Sequence, residues 1–82
     1  MRSGIDARVR AVIGACLAAD AARIQPSARL VDELYADSLE LLDMVMALND
    51  EFGIDIGVDD IAAIRTVADV QAAVARQLAA VA

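Results

Sequence analysis

The chain has 82 residues, enough for one domain with a modest core and few for a deep catalytic cleft. Its net charge of −6 disfavours nucleic-acid phosphate and anionic lipid as partners and favours proteins with basic patches. It has no His, so the commonest general base and a favoured metal ligand are missing, and its single cysteine, Cys16, excludes an internal disulfide.

The alanine-rich, lysine-free composition favours helix and hints at GC-rich, bacterial coding. Ile5, Val9, Val12, Ile13, Cys16 and Leu17 recur at helical spacing, predicting a first helix from about Ile5 to about Ala19. Ser3 is its expected cap, with Asp6 in the first turn. Arg8 and Arg10 fall away from the apolar face, and Cys16 reads as a buried, inert thiol. The longest apolar run, Ala11 to Ala19, is too short to span a membrane, and charges follow the N-terminus where a signal peptide would have its apolar region. The cytosol is the expected compartment.

Asp20 to Tyr35 contains the only proline and lacks long periodicity, so it reads as a long loop with a short turn. A loop of this length in so small a domain is expected to pack its own apolar residues or to carry function. A second helix is predicted from about Ser38 to Phe52, stopped by Gly53. "GIDIGV" reads as a connector. "DDIAAI" reads as one or two helical turns, with Asp59 or Asp60 near the start. Thr66 then reads as an N-cap with Asp69 three residues on, the aspartate form of a capping box. The last helix runs to about Ala80, with Val67, Val70, Val74 and Leu78 on one face. Three longer helices and one short one, without alternating strand segments, predict an all-α bundle in a single domain over 1–82.

On a wheel of about 100° per residue the second helix shows three faces. Leu41, Met44, Val45, Leu48 and Phe52 form a core face. Glu40, Asp43 and Asp50 lie opposite, with Ala47 among them. Leu39, Leu42 and Met46 flank the acids and point away from the core centre. An apolar strip beside carboxylates suits a protein-contact surface, and it equally suits a wide core face covered by a neighbouring helix. Ser38 also has two readings. It is the N-cap, or Asp37 is the cap and the Ser38 hydroxyl is left free in the first turn. A phosphate ester there would meet unpaired N–H groups and the positive end of the helix dipole. The acidic stretch "DEFGIDIGVDD" does not make a calcium loop. Placing Gly57 at the mid-loop glycine puts Phe52 and Ala63 at ligand positions, and placing Gly53 there puts Leu48 first.

"ADSLELLDMVMALNDEFGIDI" resembles the 4′-phosphopantetheine attachment region of acyl carrier proteins, and the likeness extends upstream to "LVDELYADSL" and downstream to "IRTVADV". The resemblance implies a four-helix bundle with a short third helix, a long first loop and the modified serine at the start of the second helix. It implies that a phosphopantetheinyl transferase moves 4′-phosphopantetheine from coenzyme A to Ser38, with Asp37 helping to hold Mg²⁺. The protein would then be a monomeric carrier of thioester-linked acyl groups and not an enzyme. Its partners would be that transferase and acyl-transfer and chain-elongation enzymes with basic docking patches. Glu40, Asp43 and Asp50 match the family's acidic recognition positions, and Leu39, Leu42 and Met46 match its exposed apolar contacts. Leu30, Val45, Leu48, Phe52, Ile61 and Ile64 would line an acyl pocket. Fatty-acid or related lipid synthesis is the expected setting. The alternatives are polyketide, peptide or D-alanine transfer, or a binding module of the same fold that never carries the arm. Three departures from the family pattern favour a specialised carrier: Tyr35 stands where glycine is common, Gly57 where proline is common, and Asn49 where an acid is common.

Overall fold

A computed structural model describes residues 2–81, with the side chains of residues 2, 3, 58 and 81 outside the description. The chain forms α1 (Arg2–Leu17), a 3₁₀ turn (Ala21–Arg23), α2 (Ser38–Phe52), α3 (Val58–Ile61) and α4 (Val67–Val81). Among the described residues there is no strand, only an isolated antiparallel bridge between Arg29 and Thr66. The predicted all-α bundle is what forms.

α1 starts at Arg2, earlier than its apolar pattern, because the first turn of a helix needs no buried residue. Ser3 therefore lies inside the helix and not at its cap, and its side chain is outside the described residues. Asp6 falls beyond the first turn. Val9, Ile13 and Leu17 are buried, as their spacing predicts, while Ile5, Val12 and Cys16 pack at the core's edge. The helix ends at Leu17, two residues before its expected end. Ala18 takes a left-handed φ of 51°, and the Ala19 N–H closes the turn on the Gly14 carbonyl at 3.1 Å.

The long loop is fastened on two sides. The Arg10 Nε donates to the Ile24 carbonyl at 2.7 Å, and Ile24 packs so tightly over α1 that a Cβ at Gly14 would lie 2.9 Å from its Cδ1. Further along, the Leu30 N–H donates to Arg65 and the Val67 N–H to Ala28, both at 3.0 Å. Ile24, Ala28, Leu30 and Leu34 are buried. The loop thus supplies a wall of the core, which satisfies the expectation that it packs its own apolar residues.

α2 contributes Met44, Val45 and Leu48 to that core, and Leu41 and Phe52 border it. Arg8 falls away from the apolar face, as expected, but is not idle. It pairs with Glu51 at 2.6 Å and lies 4.6 Å above the Phe52 ring, tying α1 to the end of α2. α4 buries Val67, Val70 and Val74 and half-buries Leu78. Its capping box is the predicted one: the Asp69 N–H donates to Thr66 Oγ1, and Asp69 Oδ2 accepts from the Thr66 and Arg65 N–H groups. Those backbone donors, Arg65 first, hold the Asp69 carboxyl below its ordinary range.

Candidate functional site

The start of α2 is built by a reciprocal cap. Asp37 is the N-cap, and its Oδ1 accepts from the Glu40 N–H at 2.8 Å. Glu40 Oε1 accepts in turn from the Asp37 N–H at 3.2 Å. Asp37 thus does what a lone serine would have done, and Ser38 becomes the first helical residue. Ser38 is exposed, and among the described residues its hydroxyl makes no protein hydrogen bond. The first turn leaves the N–H groups of Ser38 and Leu39 without intrahelical acceptors, as at any helix start. A phosphate ester on Ser38 would meet those donors and the positive end of the dipole. The second oxygen of Asp37, Oδ2, takes no donor in the cap. This donor set fits a phosphodiester on the hydroxyl and one carboxylate ligand to a divalent cation. By itself it does not complete a metal site, and no group of three or more His, Cys, Asp or Glu among the described residues is placed to hold a metal ion.

The three faces of α2 separate as its periodicity predicts. Leu39 is 73%, Met46 58% and Leu42 39% exposed, so no neighbouring helix covers the strip. Asp43 and Asp50 are exposed beside it, and Glu40 is half-buried by its capping role. Val31 and Tyr35 add two exposed apolar side chains from the loop before the helix. Sequence spacing did not mark Val31, because in "RLVDELY" nothing separates it from its buried neighbour Leu30.

Asn49 has turned away from the acidic face. Its Nδ2 donates to the Ile56 carbonyl at 3.2 Å, and its Oδ1 accepts from the Ile56 N–H at 2.8 Å. An acid here would have no donor for that carbonyl. The departure at Asn49 therefore secures the connector. Gly57, at φ −91°, needs no special conformation, and its N–H donates to Asp60 Oδ2 at 3.1 Å, a bond that proline cannot make. That start of α3 is held, not loosened.

Of the six acyl-pocket candidates, Leu30, Val45, Leu48 and Ile64 meet in the core, and Phe52 and Ile61 sit at its border. The structure thus places all six in or beside the one core cluster. A surface cleft of about 530 Å³ lies apart from them, between Arg29, Val31, Asp32, Arg65, Thr66 and Asp69. Cys16 is half-buried against the core, and burial, then the Asp43 charge, push its thiol pKa up. Among the described residues no helix is long and apolar enough to cross a membrane.

Comparison with known proteins agrees with this geometry. The family model described as "Phosphopantetheine attachment site" matches residues 7–74. An acyl carrier protein of Solidesulfovibrio magneticus is 42% identical over 62 residues, 76% of this chain and 80% of that protein. An acyl carrier protein of Thermotoga maritima is 35% identical over 77 residues, 94% and 95% of the two chains. A solved structure of a Mycobacterium tuberculosis chain assigned to the acyl carrier proteins superimposes with a TM-score of 0.79 at 38% identity, covering 85% of this chain and 93% of that one. The chain belongs to the acyl carrier protein family: its members are carriers and not enzymes, bear covalent 4′-phosphopantetheine, and work with a phosphopantetheinyl transferase and acyl-handling enzymes.

Proposed function

We propose that, in this member of the family, Ser38 is the residue that takes the arm and that the cargo belongs to fatty-acid or related lipid synthesis in a bacterial cytoplasm. The observation that carries the assignment is the division of labour at the start of α2: Asp37 caps the helix, so the adjacent Ser38 hydroxyl stays exposed and free. In the transfer, Ser38 Oγ forms the new phosphoester bond as a phosphoanhydride bond of coenzyme A breaks and the adenosine bisphosphate part leaves. The hydroxyl proton passes to a base of the transferase. Asp37 Oδ2 would offer one ligand to a Mg²⁺ ion, whose charge would help neutralise the departing phosphate. The free N–H groups of the first turn of α2 would hold the attached phosphodiester. When bound, the arm supplies a terminal thiol that carries the acyl group as a thioester.

Docking falls to the exposed faces of α2. Leu39, Leu42 and Met46 offer apolar area that a partner can desolvate, and Glu40, Asp43 and Asp50 offer carboxylates to its Arg and Lys. Leu30, Val45, Leu48, Phe52, Ile61 and Ile64 would part to admit an acyl chain, with the flexible Met44 between them easing the change. The chain acts as a monomer and a single domain over 1–82. The exposed Tyr35 favours a second reading, a carrier specialised for polyketide, peptide or D-alanine transfer.

Intact-mass measurement after incubation with coenzyme A, Mg²⁺ and a broad-specificity transferase tests the attachment. The wild type should gain one phosphopantetheine, and Ser38→Ala should gain none. A gain on the Ala variant would move the site elsewhere. No gain on folded, unmodified wild type would favour a binding module that never carries the arm.

A further inference from the structure

We infer that Tyr35 is a specificity-determining residue for loading Ser38, an aromatic contact held out for the transferase beside the hydroxyl it modifies. The inference rests on the reading of Ser38 as the attachment residue.

Tyr35 has a φ of 59°, in the left-handed region that a Cβ disfavours and glycine adopts freely. Its neighbours explain why it cannot relax. Leu34 and Ala36 are only 7% and 4% exposed. The Leu34 N–H donates to the Arg29 carbonyl at 3.0 Å, and the Ala36 N–H to the Leu30 carbonyl at 2.9 Å. The chain is pinned into the core on both sides, and Tyr35 stands at the apex between them with 77% of its surface exposed. Its ring adds nothing to the core, and among the described residues no hydrogen bond holds its hydroxyl. Glycine would make the same turn with less strain and without an exposed aromatic. What sets Tyr35 apart from the equally left-handed Ala18 is its large, exposed ring, which the core does not use and which is free for a contact outside the chain.

The position selects the partner. Tyr35 precedes Ser38 by three residues, and Leu39, also exposed, follows at once on the other side. A transferase must bring its own reactive groups to Ser38 Oγ, so its footprint must include what flanks that atom. Enzymes acting on cargo dock along α2 but meet the cargo at the far end of a long arm, so their chemistry requires no contact at Ser38 Oγ itself. The ring suits an apolar pocket, and the nearby Glu40 and Asp43 suit a basic rim around it.

Initial rates of arm loading by the transferase native to this carrier's own organism test this, with wild type, Tyr35→Gly, Tyr35→Asn and Tyr35→Phe compared at varied carrier concentration. Tyr35→Gly should melt higher than wild type, so a lost rate cannot come from unfolding. Its kcat/KM for loading should fall at least tenfold, mainly through KM. Asn, which also tolerates the left-handed region, should lose a similar factor, and Phe should stay within twofold of wild type. An unchanged or higher kcat/KM for Tyr35→Gly overturns the role of Tyr35 while leaving Ser38 as the attachment residue. A wild type that takes no arm overturns both.

Discussion

The two ends of α2 solve one geometric problem with opposite chemistry. Each has a residue in the left-handed region near it: Tyr35 three residues before the helix and Gly53 directly after it. At the far end the residue is glycine, no neighbour lies within 4 Å of where its Cβ would be, and the Asn49 amide clamps the connector through Ile56. At the near end the residue is tyrosine, its ring is in solvent, and the nearby Ser38 hydroxyl is free. The far end is made to hold and the near end to be reached. Stability and accessibility are thus separated along one 15-residue helix.

The comparison can be broken first at the far end. Asn49→Ala removes both partners of a part-buried backbone pair and should cost about 2–3 kcal/mol in urea unfolding, the low end of about 1–3 kcal/mol for each of two orphaned groups because water can partly reach them. A loss below about 1 kcal/mol would mean that water replaces the clamp. Next, Gly53→Ala should cost about 1–2 kcal/mol from backbone strain alone, because the added methyl has open space. The opposite change at the end of α1, Ala18→Gly, relieves the same strain and should stabilise by about 0.5–1 kcal/mol after the extra freedom glycine gives the unfolded chain.

The start of α4 gives a pH-dependent test. The Asp69 carboxyl titrates below its ordinary value of 3.8 because backbone N–H groups favour its charged form. The stability it contributes is therefore complete above pH 3.8 and is lost as the pH falls through the lower folded value. Asp69→Asn should be less stable at pH 7 by about 1 kcal/mol or less, at the scale of a helix cap, with the difference shrinking as the pH falls below 3.8. A constant difference across that range would assign the effect to packing. The smallest expected effect concerns the acidic face of α2, where no basic residue lies in the last turn. Moderate salt or Mg²⁺ should raise the melting temperature by a few degrees at most, by screening Glu40, Asp43 and Asp50. A melting point blind to both would show that these carboxylates do not strain the helix.

What could be read from the sequence was whatever repeats or occupies a fixed offset. The faces of α2, the core stripe of α4 and the Thr66–Asp69 cap all lie within a few residues of their partners, so periodicity and capping rules reach them. The choice between Ser38 and Asp37 as the cap stayed open at that level, since either oxygen can serve, and the geometry resolves it for Asp37. What escaped depends on distant partners. Arg10 holding Ile24, Arg8 joining Glu51 and Phe52, and Asn49 closing on Ile56 all follow from how elements pack. The left-handed turn at Tyr35 leaves no periodic trace either. Only the resemblance to a family with glycine there marked the position, and it did so without giving the conformation.

Cys16 bears on the chemistry of the cargo. A thioester survives only if no competing sulfur nucleophile intercepts it, and the attacking species in thiol–thioester exchange is the thiolate. This chain holds its one native thiol half-buried, and both its burial and the charge of Asp43 keep the proton on sulfur. Both effects disfavour the thiolate that would attack the carrier's own thioester. Acyl-loaded wild type and a Cys16→Ser variant should lose their thioester at the same rate near neutral pH, and a slower loss in the variant would expose Cys16 as a leak.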